Sequence, residues 1–438
     1  MKKIVIAAAS LLAFLGANAE GYQINTLSAK QLGMGHTGTA LKLGSESMIF
    51  NPGALGFSDK TLDISGSVTA IKADATATHQ GVDYKTDNGL STPLALNVAF
   101  RIYDNLQAGI SFYTPYGSGI NWTKSWPGSM LNQKVDLKVY NVQPTVSWRI
   151  TKNLSVGVGM MLSWGSVNLD KALIPGSAFD EYAGQTILGH TPAASVNLDG
   201  TSHVSLGANV GVLYEINRKW SIGANFRTKM GMKMTSGTAK LNYANENIAG
   251  MLAALPLGQI NEATFASEMP CPYVLNVGGS FKPDDRWTIA ADVTLTGWNA
   301  YKNLEITFPE LPEQLQAIFN QDIPKKYKNS LTYHVGAQYA VTDRADLRLG
   351  LMVDTSPVNR DCYNPETPGM TKIEPTVGFS FRPVRQLSID FAFMYVAGLG
   401  ADDARCEYRD MLNQKTNIFV ADYKCHAFAP SLGLSYTF

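Results

Sequence analysis

The 438-residue chain balances 36 Lys and Arg against 36 Asp and Glu, so no net field draws it to nucleic acid or to an anionic surface. Charged residues reach only 16%, while Gly, at 39 copies, and aromatic residues, at 10%, are plentiful. That length and composition fit two or three ordinary domains or one large barrel.

Lys2 and Lys3, the apolar residues 4–15 and the small-x-small triplet Ala17-Asn18-Ala19 read as a secretory leader over residues 1–19, with a mature start at Glu20. Its apolar core is too short to span a bilayer, and no later run of 18 apolar residues predicts a transmembrane helix. Residues 20–60 are rich in Gly and small side chains and do not alternate. They read as a compact plug for a lumen that something must fill. From residue 61 onward an alternating script recurs. Leu94, Leu96, Val98, Phe100 and Ile102 share one face, and Leu106, Ala108, Ile110 and Phe112 the next. Trp287, Ile289, Ala291, Val293 and Leu295 oppose Thr288, Asp292, Thr294 and Thr296, and Leu347, Leu349, Leu351 and Val353 oppose Arg348 and Asp354. The last strand sets Phe428, Pro430, Leu432, Leu434, Tyr436 and Phe438 against small or polar residues. Successive strand side chains point to opposite faces, so each segment is greasy outside and polar inside. Mid-strand Asp and Arg then need a hydrated lumen.

The connections are unequal. Tyr103-Asp104-Asn105, Thr151-Lys152-Asn153, Asn217-Arg218-Lys219, Pro283-Asp284-Asp285, Thr342-Asp343-Arg344 and Pro383-Val384-Arg385 are tight turns. Long polar links cover about 72–92, 116–136, 171–201, 235–270, 308–327, 355–371 and 397–422. Six short turns alternating with seven long loops predict an all-β, fourteen-stranded antiparallel transmembrane barrel over residues 61–438, in an outer membrane, with both ends on the periplasmic side.

The segment Gly21-Tyr22-Gln23-Ile24-Asn25, through Gly33-Met34-Gly35-His36-Thr37-Gly38 to Asn51-Pro52-Gly53, resembles the N-terminal hatch of the FadL family of Gram-negative outer-membrane transporters. Tyr113-Thr114-Pro115-Tyr116-Gly117, Gly211-Val212-Leu213-Tyr214-Glu215, Leu295-Thr296-Gly297-Trp298 and Asp354-Thr355-Ser356-Pro357-Val358 look like later signatures of that family, in order, up to Phe438. The family's hatch motif is Asn-Pro-Ala; here its third residue is Gly53. The resemblance implies a monomer that passively admits long-chain fatty acids or similar hydrophobic molecules, with no cofactor, no metal and no catalysis. Ligand would lodge among the outer loops, move to a pocket against the hatch, and leave sideways at a distorted third strand near Pro115 and Gly117. Asn51, Pro52 and Gly53 would face that gap, and Gly21 and Tyr22 would plug the pocket and move when ligand arrives. Lys171 and Lys328 align with basic residues that would meet a carboxylate, and Phe438 resembles the terminal signal read by the outer-membrane assembly machinery. Surrounding lipid is the other partner.

Met160, Met161, Met230, Met232 and Met234 are candidates for an adaptable apolar lining. Cys271, Cys362, Cys406 and Cys425 fall near the outer end and are disulfide candidates, either Cys406 with Cys425 and Cys271 with Cys362, or Cys362 with Cys406. Gly33-Met34-Gly35-His36-Thr37-Gly38 satisfies G-x-G-x-x-G, but no strand precedes it and no parallel-sheet pattern follows, so its glycines read as packing rather than dinucleotide binding. The six His have no metal-ligand spacing, and nothing nominates a Ser–His pair for hydrolysis. The alternatives are the same barrel carrying aromatic hydrocarbons or another lipophile, and a non-transporting outer-membrane scaffold or secretion accessory.

Overall fold

The computed structural model describes residues 21–253, 261–409 and 416–438; the leader expected over residues 1–19 lies outside them. Fourteen strands form the wall: β1 (Leu62–Thr69), β2 (Leu94–Tyr103), β3 (Leu106–Asn121), β4 (Lys134–Arg149), β5 (Leu154–Ile174), β6 (Ser205–Glu215), β7 (Trp220–Arg227), β8 (Val274–Phe281), β9 (Trp287–Thr296), β10 (Ser330–Thr342), β11 (Ala345–Asp354), β12 (Lys372–Val384), β13 (Leu387–Gly398) and β14 (Thr416–Thr437). Each pairs antiparallel with the next. β1 closes on β14, from Asp63 opposite Thr437 to Thr69 opposite Ser431. Closure leaves no edge, which is the condition for crossing lipid with strands.

The alternation becomes an inside and an outside. Leu349, Leu96 and Val158 are 65%, 56% and 54% exposed on the outer face, whereas Asn97, Ser111 and Gln143 are buried in the lumen. Near the short-turn end, Trp148, Trp220, Trp287 and Phe438 are exposed on the outside, as a girdle at a lipid–water boundary requires. The six tight turns all lie at one end.

The long links contain more strand than their sequence suggests. Residues 166–174 of β5 pair with Ala194–Thr201, Met230–Tyr243 pairs with Glu262–Cys271, and the outer part of β14 pairs with Lys72–His79 and Ala401–Arg409. These extensions rise above the lipid band. Neither of their faces has to be uniformly apolar there, so the two-residue period that marks the wall fades.

Within the expected hatch, residues 20–60, the described residues 21–58 lie inside the lumen and are mostly buried, whereas Asp59 and Lys60 are exposed. The hatch holds three short helices, α1 (Ala29–Leu32), α2 (Ser47–Phe50) and α3 (Pro52–Leu55), joined by irregular chain. Its glycines meet wall glycines. A Cβ on Gly33 would lie 2.9 Å from the Gly378 Cα, and one on Gly350 would lie 2.0 Å from the Gly35 nitrogen. Gly35 also has φ +64°, a region that favours glycine. The hatch is therefore seated backbone to backbone.

Candidate functional site

The third wall strand is irregular where the sequence places Pro115 and Gly117. Its register with β4 shifts between Tyr113 and Tyr116, and its pairing with β2 stops at Tyr113, opposite Ala95. The hatch supplies what the wall omits. The Ile24 N–H donates to the Pro115 carbonyl and the Gly117 N–H to the Tyr22 carbonyl, both at 2.9 Å, making Gln23 and Tyr116 an isolated antiparallel pair. Pro115 has no N–H to give, so the strand loses a ladder bond there. A Cβ on Gly117 would approach the Ile24 side chain to 2.9 Å.

Directly above lies an aromatic cage. The Tyr22 ring stands edge-on to Trp298, Tyr301 and Tyr116, with centroids 4.8, 5.9 and 6.0 Å away, and Tyr301 and Tyr327 are 5.1 Å apart. Gly21 is pressed on the Trp298 ring. The Tyr22 hydroxyl donates to the Pro270 carbonyl. This cage is the foot of one continuous apolar cluster. It rises through Val139, Leu169, Leu173 and Phe265 to Phe308 and Phe319 in the outer loops. Met161, Met230 and Met232 belong to it, whereas Met160 faces outward.

The cationic groups nearby are only partly those nominated from sequence. Lys171 lies in the outer part of β5, paired with Ala194–Thr201 above the lipid band. Its Nζ donates to Gln321 Oε1 at 3.0 Å, and burial of the ammonium lowers its pKa to about 8. Lys328 is exposed, and its backbone N–H donates to the Pro357 carbonyl. Lys325, three residues earlier, is fully buried, ion-paired with Glu366 and 5.8 Å from the Tyr301 ring centroid. Sequence reasoning missed it because Pro324-Lys325-Lys326-Tyr327-Lys328 reads as a solvated loop base. Only the Pro and Tyr beside it hint at an interior position.

Asn51-Pro52-Gly53 sits on β5, β6 and β7, round the wall from β3. The Asn51 amide donates to the Thr39 and Val212 carbonyls at 2.6 and 2.9 Å, and its oxygen accepts from the Gly53 N–H at 3.0 Å. It thereby caps α3 and fastens it to the wall. A Cβ on wall residue Gly157 would lie 2.4 Å from Pro52, and one on Gly53 would lie 2.8 Å from the Gly211 carbonyl oxygen.

The four cysteines are free thiols. Cys406 is opposite Phe419, six residues along β14 from Cys425. That is about 20 Å of strand, beyond the reach of a disulfide. Cys362 instead adjoins Cys406, since the Tyr363 N–H donates to the Arg405 carbonyl at 2.8 Å.

A closed, lipid-facing barrel with an internal hatch defines an outer-membrane channel. The chain belongs to the outer membrane protein transport family (OMPP1/FadL/TodX), whose family model matches residues 10–438. It is 22% identical to outer membrane protein P1 of Haemophilus influenzae, covering 100% of both chains. It is 25% identical to a 47 kDa outer membrane protein of Pasteurella multocida, covering 87% of this chain and 88% of that one. Its fold matches a Pseudomonas aeruginosa FadL homologue with a TM-score of 0.80 at 18% identity, covering 96% of this chain and 100% of that one. It also matches the Pseudomonas putida toluene transporter TodX with a TM-score of 0.68 at 18% identity, covering 96% and 99%.

Proposed function

We propose that this barrel admits long-chain fatty acids, or molecules of similar greasiness, passively across the outer membrane. It acts as a transporter with no catalytic step. The supporting observation is the continuous apolar cluster that runs from the outer loops to Tyr22 and ends beside the break in β3. Each methylene held along that column is worth about 0.8 kcal/mol against water, an advantage that an open polar pore would not give. Residues 1–19 act as the export leader, residues 20–60 as the hatch, residues 61–438 as the wall, and Phe438 as the end read by the assembly machinery. Cargo lodges among the loops with its carboxylate towards Lys171 and Lys325, and displaces residues 21–24. It then leaves through the side of the barrel where β3 has lost its β2 partner. Asn51-Pro52-Gly53 holds the rest of the hatch while this arm moves. The aromatic cage also suits a ring-shaped hydrocarbon, the cargo named for TodX.

The deciding experiment is binding of labelled palmitate to the purified barrel in detergent, with toluene as competitor. Saturable binding that weakens about tenfold or more in a Lys171→Ala, Lys325→Ala double variant supports fatty acid as cargo and the lysines as its partners, as loss of a charge-assisted contact predicts. Lys328→Ala, run beside it, reads whether the exposed lysine contributes. Toluene binding without palmitate binding moves the cargo to aromatic hydrocarbons. Binding of neither favours a scaffold.

A further inference from the structure

Between hatch and wall, bordered by Gln23, Ile24 and Asn25 of the N-terminal arm, lies a cavity of about 40 Å³. Its lining is mixed, with Ile24, Leu27, Ile49 and Phe50 beside a cluster of polar side chains. Gln23, Asn25, His36, Arg227, Asp292 and His334 are among its lining. Several of these side chains hold polar atoms with nothing to bond: Gln23 Oε1, Arg227 Nε and Asp292 Oδ1 are all buried without partners. A buried polar atom left unpaired costs about 1–3 kcal/mol, so the cavity holds water or awaits a polar visitor.

Arg227 is distinctive among them. It ends β7 on the lumen face it shares with Asn225. It makes no ion pair among the described residues. It interacts with the side chain of Tyr113, the residue at which β3 loses its regular register. Asp292, the carboxylate in the same cavity, is engaged through one oxygen: its Oδ2 accepts the hatch N–H groups of Gly38 and Thr39 at 2.7 and 2.9 Å, while its Oδ1 is unpaired. Gln23, Ile24 and Asn25 of the arm line the same cavity as Arg227, and Ile24 is also bonded to Pro115 on the irregular strand.

We propose that Arg227 is an inner carboxylate site, exposed when the N-terminal arm withdraws, and that it receives the acid head of the cargo between the outer lysines and the break in β3. This rests on the transport reading above. At its present volume the cavity admits only a few water molecules, so the site forms only as the arm leaves. The guanidinium, always charged and able to hold both carboxylate oxygens, would then steer the head towards the wall opening beside Tyr113. Such a station selects cargo by its head group: an acid gains from it, an alcohol of the same chain length does not.

The test is uptake of tritiated palmitic acid and tritiated hexadecanol by cells that lack their own long-chain transporter and carry this barrel or a variant. For Arg227→Met, the palmitate-to-hexadecanol uptake ratio is expected to fall about tenfold, the scale of one charge-assisted pair. Arg227→Lys, which keeps the charge, is expected to recover most of it. A ratio unchanged in Arg227→Met, or a parallel fall of both cargoes in both variants, overturns the proposal and leaves Arg227 as a brace for Tyr113. Uptake of neither cargo by the unmodified barrel above empty-vector cells would overturn the transport reading itself. Heat-modifiable migration on gels shows that each variant is folded.

Discussion

At the scale of single residues, Gly53 and Lys171 carry the sharpest consequences. Where the family's hatch motif has Ala, this chain has Gly, and a Cβ there would lie 2.8 Å from the Gly211 carbonyl oxygen and 2.9 Å from the Val212 Cα. Both are backbone atoms that cannot swing aside. Gly53→Ala is therefore expected to cost about 1–3 kcal/mol, the scale of overpacking, read as a lower midpoint of thermal unfolding. Lys171 answers to pH. Burial disfavours its ammonium and sets the pKa at about 8, so the cation a carboxylate needs disappears as pH rises through that value. Palmitate binding in detergent should weaken between about pH 7 and pH 9. In Lys171→Arg the fall near pH 8 should disappear, because guanidinium does not titrate there. Only the loss near pH 7 from Lys325 should remain, since burial lowers that ammonium's pKa to about 7. Unchanged pH dependence in that variant would remove Lys171 from the head-group site. Lys171 could be nominated from sequence through the family likeness. Lys325 and Arg227 could not, because their surroundings are assembled from loops and hatch residues far away in the chain. Arg227 left one trace, a charged residue on the small and polar face that carries Ser221, Gly223 and Asn225.

At the scale of elements, the wall strands were legible because lipid on one side and water on the other force a strict period of two. The irregularity in β3, a register shift between Tyr113 and Tyr116, was expected through the family likeness, and the Pro and Gly there suit it because both weaken a ladder. The outer extensions were not, because no lipid imposes that period on them. Between α1 and the wall lies a network that no periodicity announces. Lys30 is 3.2 Å from Glu46 and 3.7 Å from Asp390. Arg348 is 3.7 Å from Asp390 and 3.6 Å from Asp346, and Arg382 grips both Asp346 oxygens at 2.6 and 2.9 Å. Asp390 joins the hatch cation to the wall cation. Asp390→Ala should take the shared anion from Lys30 and Arg348, which keep Glu46 and Asp346, and cost about 1–3 kcal/mol, the scale of a lost buried charged contact. Hydrogen exchange would locate the loss, with residues 28–33 losing protection and the far wall unaffected. Equal protection in variant and parent would mean that the glycine contacts alone hold the hatch.

At the scale of the whole molecule, the hatch is held in two different ways. Helices α1 and α3 are fastened by buried charges, the Asn51 amide and backbone-to-backbone glycine contacts, whereas residues 21–24 are held by two main-chain bonds and aromatic edges. Motion is expected in the arm and not in the body. Gln23 and Tyr116 are flanked by those two bonds in the narrow, non-hydrogen-bonded arrangement, the spacing that suits a disulfide. With the four native cysteines replaced by alanine, Gln23→Cys with Tyr116→Cys should lock the arm. Palmitate uptake should stop when the pair is oxidised and return on reduction. Undiminished uptake by the oxidised barrel would rule out the arm as the moving part. The closing seam has a consequence of another kind. The Ala29 N–H donates to Ser67 Oγ on β1, and Lys30 Nζ donates to Ser435 Oγ on β14, so one hatch segment bridges the joint between the first and last wall strands. The hatch therefore buttresses the barrel's closing joint from within, with one bond to each of the two strands that meet there.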